Sequence, residues 1–201
     1  MCTGQTLRST LIFPEFTYLP SGRYRLNVAL SKSELLESAV EILARGEPLT
    51  LDAVARASGL TKPGVIHHVG SKEGLMVAVV DHVIDRWTED LDARLPSDAT
   101  DVDRLAAYVD HALSTDFDPS DLAPLADIRL RETLRDRWTE KLSSWLVAST
   151  QGPLRARRTA ARLLADGAWF NSAAGIETMS EDERAEVRRI AQQLIFGGEI
   201  Q

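Results

Sequence analysis

Residues 50–75 read TLDAVARASGLTKPGVIHHVGSKEGL. Thr50 offers the side-chain oxygen an N-cap needs, Asp52 suits the positive helix end, and Leu49 before it stands to staple onto Val54. The pattern predicts a short helix to about Ser58, stopped by a left-handed Gly59. Two positions later Thr61 caps a second helix, with Pro63 in its first turn, where no backbone donor is required. That helix ends at Gly70, and Ser71 caps the next. Within this frame Ala55 permits close helix crossing, Gly59 the turn, and Val65 the wedge between helices. The combination is the sequence sign of a helix-turn-helix, whose second helix enters a DNA major groove while the first braces it. Many small helical pairs share an alanine and a glycine, so this spacing alone leaves other helical pairs open.

Outward from this stretch the periodicity stays helical. Upstream, Ser31 and Glu34 form a capping box, and Leu36, Val40 and Leu43, flanked by Leu35, Ala39 and Ile42, make a broad apolar stripe that ends at Gly46 and Pro48. Residues 1–27 hold Pro14, Pro20 and Gly22 without a sustained period and read as an irregular or mobile arm. Downstream, the helix capped by Ser71 runs to about Leu95. Val102, Leu105, Val109 and Ala112 mark a further helix, and residues 116–120 a loop. Helical spacing resumes through Leu125, Ile128, Leu134, Trp138, Leu142 and Trp145, as one helix or two. A segment from Leu154 to about Ala174 follows, then a last helix behind a second capping box, Ser180 and Glu183. Everything ordered is expected to be helical, as domains 28–75 and 76–201.

The 201 residues include 44% hydrophobic and 26% charged side chains, ordinary globular usage. Apolar runs such as MVAVV at 76–80 fall far short of the roughly 18 residues of a spanning helix, so a soluble protein that crosses no bilayer is expected. LIF at 11–13 is cut off by Pro14 and Glu15, too soon for a secretory signal. Cys2 is the only cysteine, which excludes an internal disulfide and a cysteine-rich zinc site. A reducing, cytoplasmic location fits. Net charge is -7, distributed as +2 over residues 1–27, -1 over 28–75 and -8 over 76–201. The acidic excess argues against a nucleic-acid partner only at first sight, because charges are screened over about 8 Å at physiological salt and a distant acidic domain barely opposes a local basic face.

SKSELLESAVEILARG followed by LTLDAVARASGLTKPGVIHHVGSKEGL resembles the DNA-binding region of TetR/AcrR-family transcriptional regulators, with cap, turn, recognition helix, HHVG and SKEGL in order and at the family's spacing. ARLLADGAWFNSAAG followed by SEDERAEV resembles one type of that family's ligand and dimerisation domain. The resemblance implies an all-α chain: a three-helix helix-turn-helix domain, then a larger helical domain that binds a small-molecule effector and dimerises. Carried over position by position, it puts Thr61, Lys62, Pro63, Gly64 and His67 on or near the groove-facing side of the recognition helix. His68 and Lys72 match phosphate-touching positions, and Thr50 caps a helix whose N-terminus can face the DNA backbone. Ile66 departs from the family's usual Tyr, whose hydroxyl contacts phosphate. The arm's Arg8, Arg23 and Arg25 stand to offset that loss from a minor groove. The last two long helices, through Ala160, Leu164, Ala168, Val187, Ile190 and Leu194, are expected to pair with a second copy, so that the dimer reads a pseudo-palindromic double-stranded operator. A repressor released or rearranged by its effector is the expected role, with a helical binding module that has lost DNA recognition as the alternative.

Other chemistries find less support. Adjacent helical residues such as His67 and His68 point roughly 100° apart and do not readily grip one ion. No HExxH pattern, phosphate-cradling glycine loop or nucleophile elbow occurs, so neither an enzyme nor a metal or cofactor is expected. Trp87, Trp138, Trp145, Trp169 and Phe170 suit core packing. Under the family resemblance, Trp138, Trp145 and Trp169, with His111, Phe117 and Asn171 at the rim, are the candidate effector pocket.

Overall fold

The computed structural model describes residues 16–18, 24–26, 30–125, 128–149, 152–176 and 179–198. It divides into two compact units, Met1–Ser31 and Lys32–Gln201. In the first, β1 (Phe16–Tyr18) pairs antiparallel with β2 (Tyr24–Leu26), Thr17 opposite Arg25. This corrects the irregular-arm reading for those residues. Phe, Thr and Tyr favour strands, but three-residue strands are too short to announce a period of two. Arg8 and Arg23 lie outside the described residues.

The second unit is helical throughout its described residues. It comprises α1 (Lys32–Ala44), α2 (Leu51–Ser58), α3 (Lys62–Val69), α4 (Lys72–Asp92), α5 (Asp101–Ser114), α6 (Arg131–Leu146), α7 (Arg155–Ala174) and α8 (Glu181–Phe196). The apolar stripe of α1 buries Leu35, Leu36, Ala39, Val40 and Ile42 against α2 and α4. Val54 and Val65, each 0% exposed, lock α2 and α3 into the same core. The long α4 continues past these short helices and carries Val79, Val80, Ile84 and Leu91, all fully buried. Beyond it, α5 packs on α6, α7 and α8, and α7 packs on α8. Arg184 and Arg188 of α8 reach across to Asp116 and Asp110, adding polar ties to an interface otherwise closed by Ala161, Ala165 and Ala191.

Two boundaries differ from expectation. α4 stops at Asp92, and turns carry the chain on to Leu95. Leu125 and Ile128 do not extend α6: Pro119–Leu125 is a 3-10 helix, and the two side chains are 63% and 80% exposed. Pro124 lacks the backbone donor that a continuous α-helix requires. The 3-10 helix packs on α1, α4, α6 and α7, and so bridges the N-terminal helices and the rest of the unit.

Candidate functional site

The turn between α2 and α3 is built from the predicted residues. Thr50 accepts a hydrogen bond from the Ala53 amide at 3.0 Å, Gly59 adopts φ 70°, and Thr61 accepts from the Gly64 amide at 3.2 Å. Ser71 does the same for α4, accepting from the Gly74 amide at 3.0 Å. With Val65 inward, the outer side of α3 presents Lys62, Pro63 and His67, and Ile66 is 39% exposed. Gly64 and His68 are half-buried, and Lys72 is exposed at the start of α4. One contact was not foreseen: Lys62 Nζ donates to Asp52 Oδ2 at 2.9 Å, with both side chains about half exposed. His67 and His68 stand edge to face, their rings 5.8 Å apart. Among the described residues, no group of three or more His, Cys, Asp or Glu side chains is placed to hold a metal ion.

A second site lies among α4, α5, α6, α7 and the 3-10 helix. Trp87 is its centre, with ring contacts to His111 at 5.5 Å, Phe117 at 5.0 Å, Trp138 at 5.4 Å and Trp169 at 5.8 Å. The Trp87 indole N–H donates to Asp121 Oδ1 at 3.1 Å. Burial raises the Asp121 pKa above its ordinary value, although that hydrogen bond works the other way. His111 Nδ1 meets Thr115 Oγ1 at 3.3 Å, whereas its Nε2 and the Trp169 Nε1 are buried without a hydrogen-bond partner among the described residues. Burial, assisted by Arg94, holds His111 below its usual pKa. Trp138 and Trp169 stack at 5.5 Å and form one wall of a cavity of about 760 Å³, which Leu125, Ile128, Arg131 and Arg135 also line.

Of the six predicted pocket residues, the structure brings together His111, Phe117, Trp138 and Trp169. Trp145 is buried but makes none of these ring contacts, so it belongs to the core around α6. Asn171 lines a different hollow, of about 290 Å³, together with Leu164, Ala168 and Val187. Trp87, assigned to core packing in the sequence, is buried as expected, at 5% exposed, and sits at the centre of the ring contacts without lining the cavity. Arg131 and Arg135 were also missed, though their i, i+4 spacing and the further three residues to Trp138 place all three on one face of α6. The six residues expected at a dimer interface all remain at least partly exposed on α7 and α8, beside exposed Leu163, Phe170 and Phe196.

No helix among the described residues is long and apolar enough to cross a membrane. Residues 102–195 match the family model described as the tetracyclin repressor-like C-terminal domain. The chain is 28% identical over 175 residues to the HTH-type transcriptional regulatory protein RaaS of Mycobacterium tuberculosis, covering 82% of this chain and 81% of that protein. Its fold is similar to that of the transcriptional regulator FadR from Bacillus subtilis, solved in complex with stearoyl-CoA. The TM-score is 0.57 at 15% identity, over 82% of this chain and 98% of the other. A helix-turn-helix built on the predicted caps, a C-terminal region that matches the tetracyclin repressor-like C-terminal domain and likeness to a curated HTH-type regulator together support a TetR-type transcriptional regulator.

Proposed function

We propose that the protein is a homodimeric repressor that reads a pseudo-palindromic operator through α3 and leaves or rearranges on it when a small molecule occupies the aromatic cavity. The observation that carries this reading is the presentation of Lys62, Pro63 and His67 outward from a helix whose opposite side is pinned by Val65 at 0% exposure. Lys62 donates to guanine acceptors, and Gly64 lets the backbone approach base edges or thymine methyl groups. His68, Lys72 and the amide end of α2 behind Thr50 hold phosphates and set register. Exposed Ile66 offers apolar contact in place of the hydrogen bond that a tyrosine would make. The exposed apolar residues of α7 and α8 pair the two copies.

The cavity is linked by two routes to α1 and α4, the latter packed on α3. Leu125 belongs to the 3-10 helix that packs directly on α1. On α6, Lys141 lies one turn beyond Trp138 and pairs with Asp81 at 3.9 Å and with Asp85 of α4. From α4, His82 and Arg86 reach Glu37 of α1 at 2.8 Å and 3.6 Å. An effector that prefers one setting of α6 thereby biases α4 and α1, and lowers DNA affinity by the difference in its own affinity for the two settings.

Selection of bound fragments from a genomic library, followed by mobility shifts at several salt concentrations, tests the proposal. A regulator returns a pseudo-palindromic site and a steep negative salt slope. Sequence-independent or absent binding supports instead a helical module that has lost DNA recognition, the reading that Ile66 favours.

A further inference from the structure

Taking the second site as an effector cavity, we infer that its ligand is an amphipathic organic anion, with an apolar body on Trp138 and Trp169 and an anionic group at Arg131 and Arg135. The cavity of about 760 Å³ falls within the roughly 300–1,000 Å³ of small-molecule sites. Its walls differ in chemistry. Trp138 and Trp169 stack with an interplanar angle of 28° and form a flat apolar plate. Leu125 and Ile128 are left 63% and 80% exposed at the lip, so a ligand body lying between lip and plate removes large apolar surfaces from water on both sides.

The charged wall is the first turns of α6. Arg131 and Arg135 both line the cavity, and among the described residues that line it only Glu132 carries the opposing charge. Arg135 engages Asp136 through Nε and Nη2, whereas Arg131 has no hydrogen-bond or ion-pair partner among the described residues. An exposed pair such as Arg135 and Asp136 contributes little to stability, and yields readily to an incoming carboxylate, sulfonate or phosphate that takes guanidinium donors in pairs. The same arginines repel a cation that the indoles would otherwise attract. The Trp169 N–H is buried and has no acceptor among the described residues.

Two dyes that share an apolar body and differ by one sulfonate isolate the charge: 8-anilinonaphthalene-1-sulfonate and the uncharged N-phenyl-1-naphthylamine. Titrations of the full chain, followed by indole quenching, are expected to show the sulfonate bound about tenfold tighter or more. Replacing both arginines (R131Q/R135Q) should abolish that preference and leave the uncharged dye unaffected, while Glu132→Gln should tighten the anion. Equal affinities in the wild type, or a preference that survives the double replacement, would overturn the inference. Displacement of the sulfonate dye by hexadecanoate marks an aliphatic body and displacement by 1-naphthoate a planar one; displacement by neither also overturns it. Because these titrations contain no DNA, their failure beside intact operator binding removes only the ligand class, whereas loss of operator selection removes the regulatory reading.

Discussion

Lys62 is held by Asp52 at 2.9 Å in the free protein, yet both side chains stay about half exposed. An exposed pair of this kind contributes roughly 0–1 kcal/mol, and a good base contact about 1–3 kcal/mol, so under the proposed function DNA is expected to draw the lysine away from Asp52. Asp52→Asn is therefore expected to raise operator affinity, by up to about tenfold, in fluorescence anisotropy titrations; a weaker complex would show that Asp52 positions Lys62 instead of restraining it. His111, 3% exposed and edge-on to Trp87 and Phe117, supplies a second test. Burial, then Arg94, lower its pKa from the ordinary 6.5, against Asp90 and Asp110. The unfolded chain then takes up a proton that the folded one resists, so this contribution to stability is full above about pH 6.5 and is lost as acid brings the pH down through the folded value. Urea midpoints should fall from about pH 7 to about pH 5.5, and His111→Gln should flatten that fall. Asp121 and Asp166, raised by burial from 3.8, act with the opposite sign at lower pH. The cap residues were legible in the sequence because caps act over three positions. The Lys62 pairing was not, since it depends on how two helices cross.

Among the elements, α3 and its joint with α4 separate folding from recognition through two glycines. A Cβ on Gly74 would lie 2.1 Å from the Val69 carbonyl oxygen, whereas one on Gly64 would meet nothing closer than Thr61 Oγ1 at 3.4 Å. Gly74→Ala must push α3 from α4 and is expected to lower both the melting temperature and operator affinity. Gly64→Ala should leave the melting temperature unchanged or higher, because alanine favours a helix by about 1 kcal/mol over glycine, and still weaken operator binding by crowding the groove. Equal effects of the two in calorimetry and anisotropy would contradict this division. The helices themselves were legible where capping and apolar spacing agree, as at Ser180–Glu183, whose side chains close a reciprocal box; the matching box of Thr100 and Asp103 was not read. The 3-10 helix was not: its apolar residues carry the same spacing as α6, and only Pro124 signals the break. That misreading also hid the cavity lip at Leu125 and Ile128. Trp87 was legible as a core aromatic, but its ring contacts were not, because spacing marks a buried aromatic without showing which rings meet it.

For the whole molecule, the proposed function requires two copies and a path between cavity and α3. Leu164, 40% exposed on α7 beside Leu163, lies on the face proposed to pair. Leu164→Glu should convert the dimer to monomer in analytical ultracentrifugation and cost operator affinity, since a single head holds only one half-site. A wild-type chain that sediments as a monomer at micromolar concentration would remove the pairing. Glu37 joins His82 and Arg86 to α1, so Glu37→Gln should weaken the effector's influence on DNA more than its binding, read as a smaller ratio of effector affinities without and with operator. The most direct test of the central claim is the affinity of Lys62→Ala/His67→Ala for the selected operator and for an unrelated duplex over a salt series. A double replacement that removes base reading should lose about tenfold or more on the operator and much less on the unrelated duplex, with a shallower salt slope. An unchanged preference between the two duplexes would show that α3 does not read DNA.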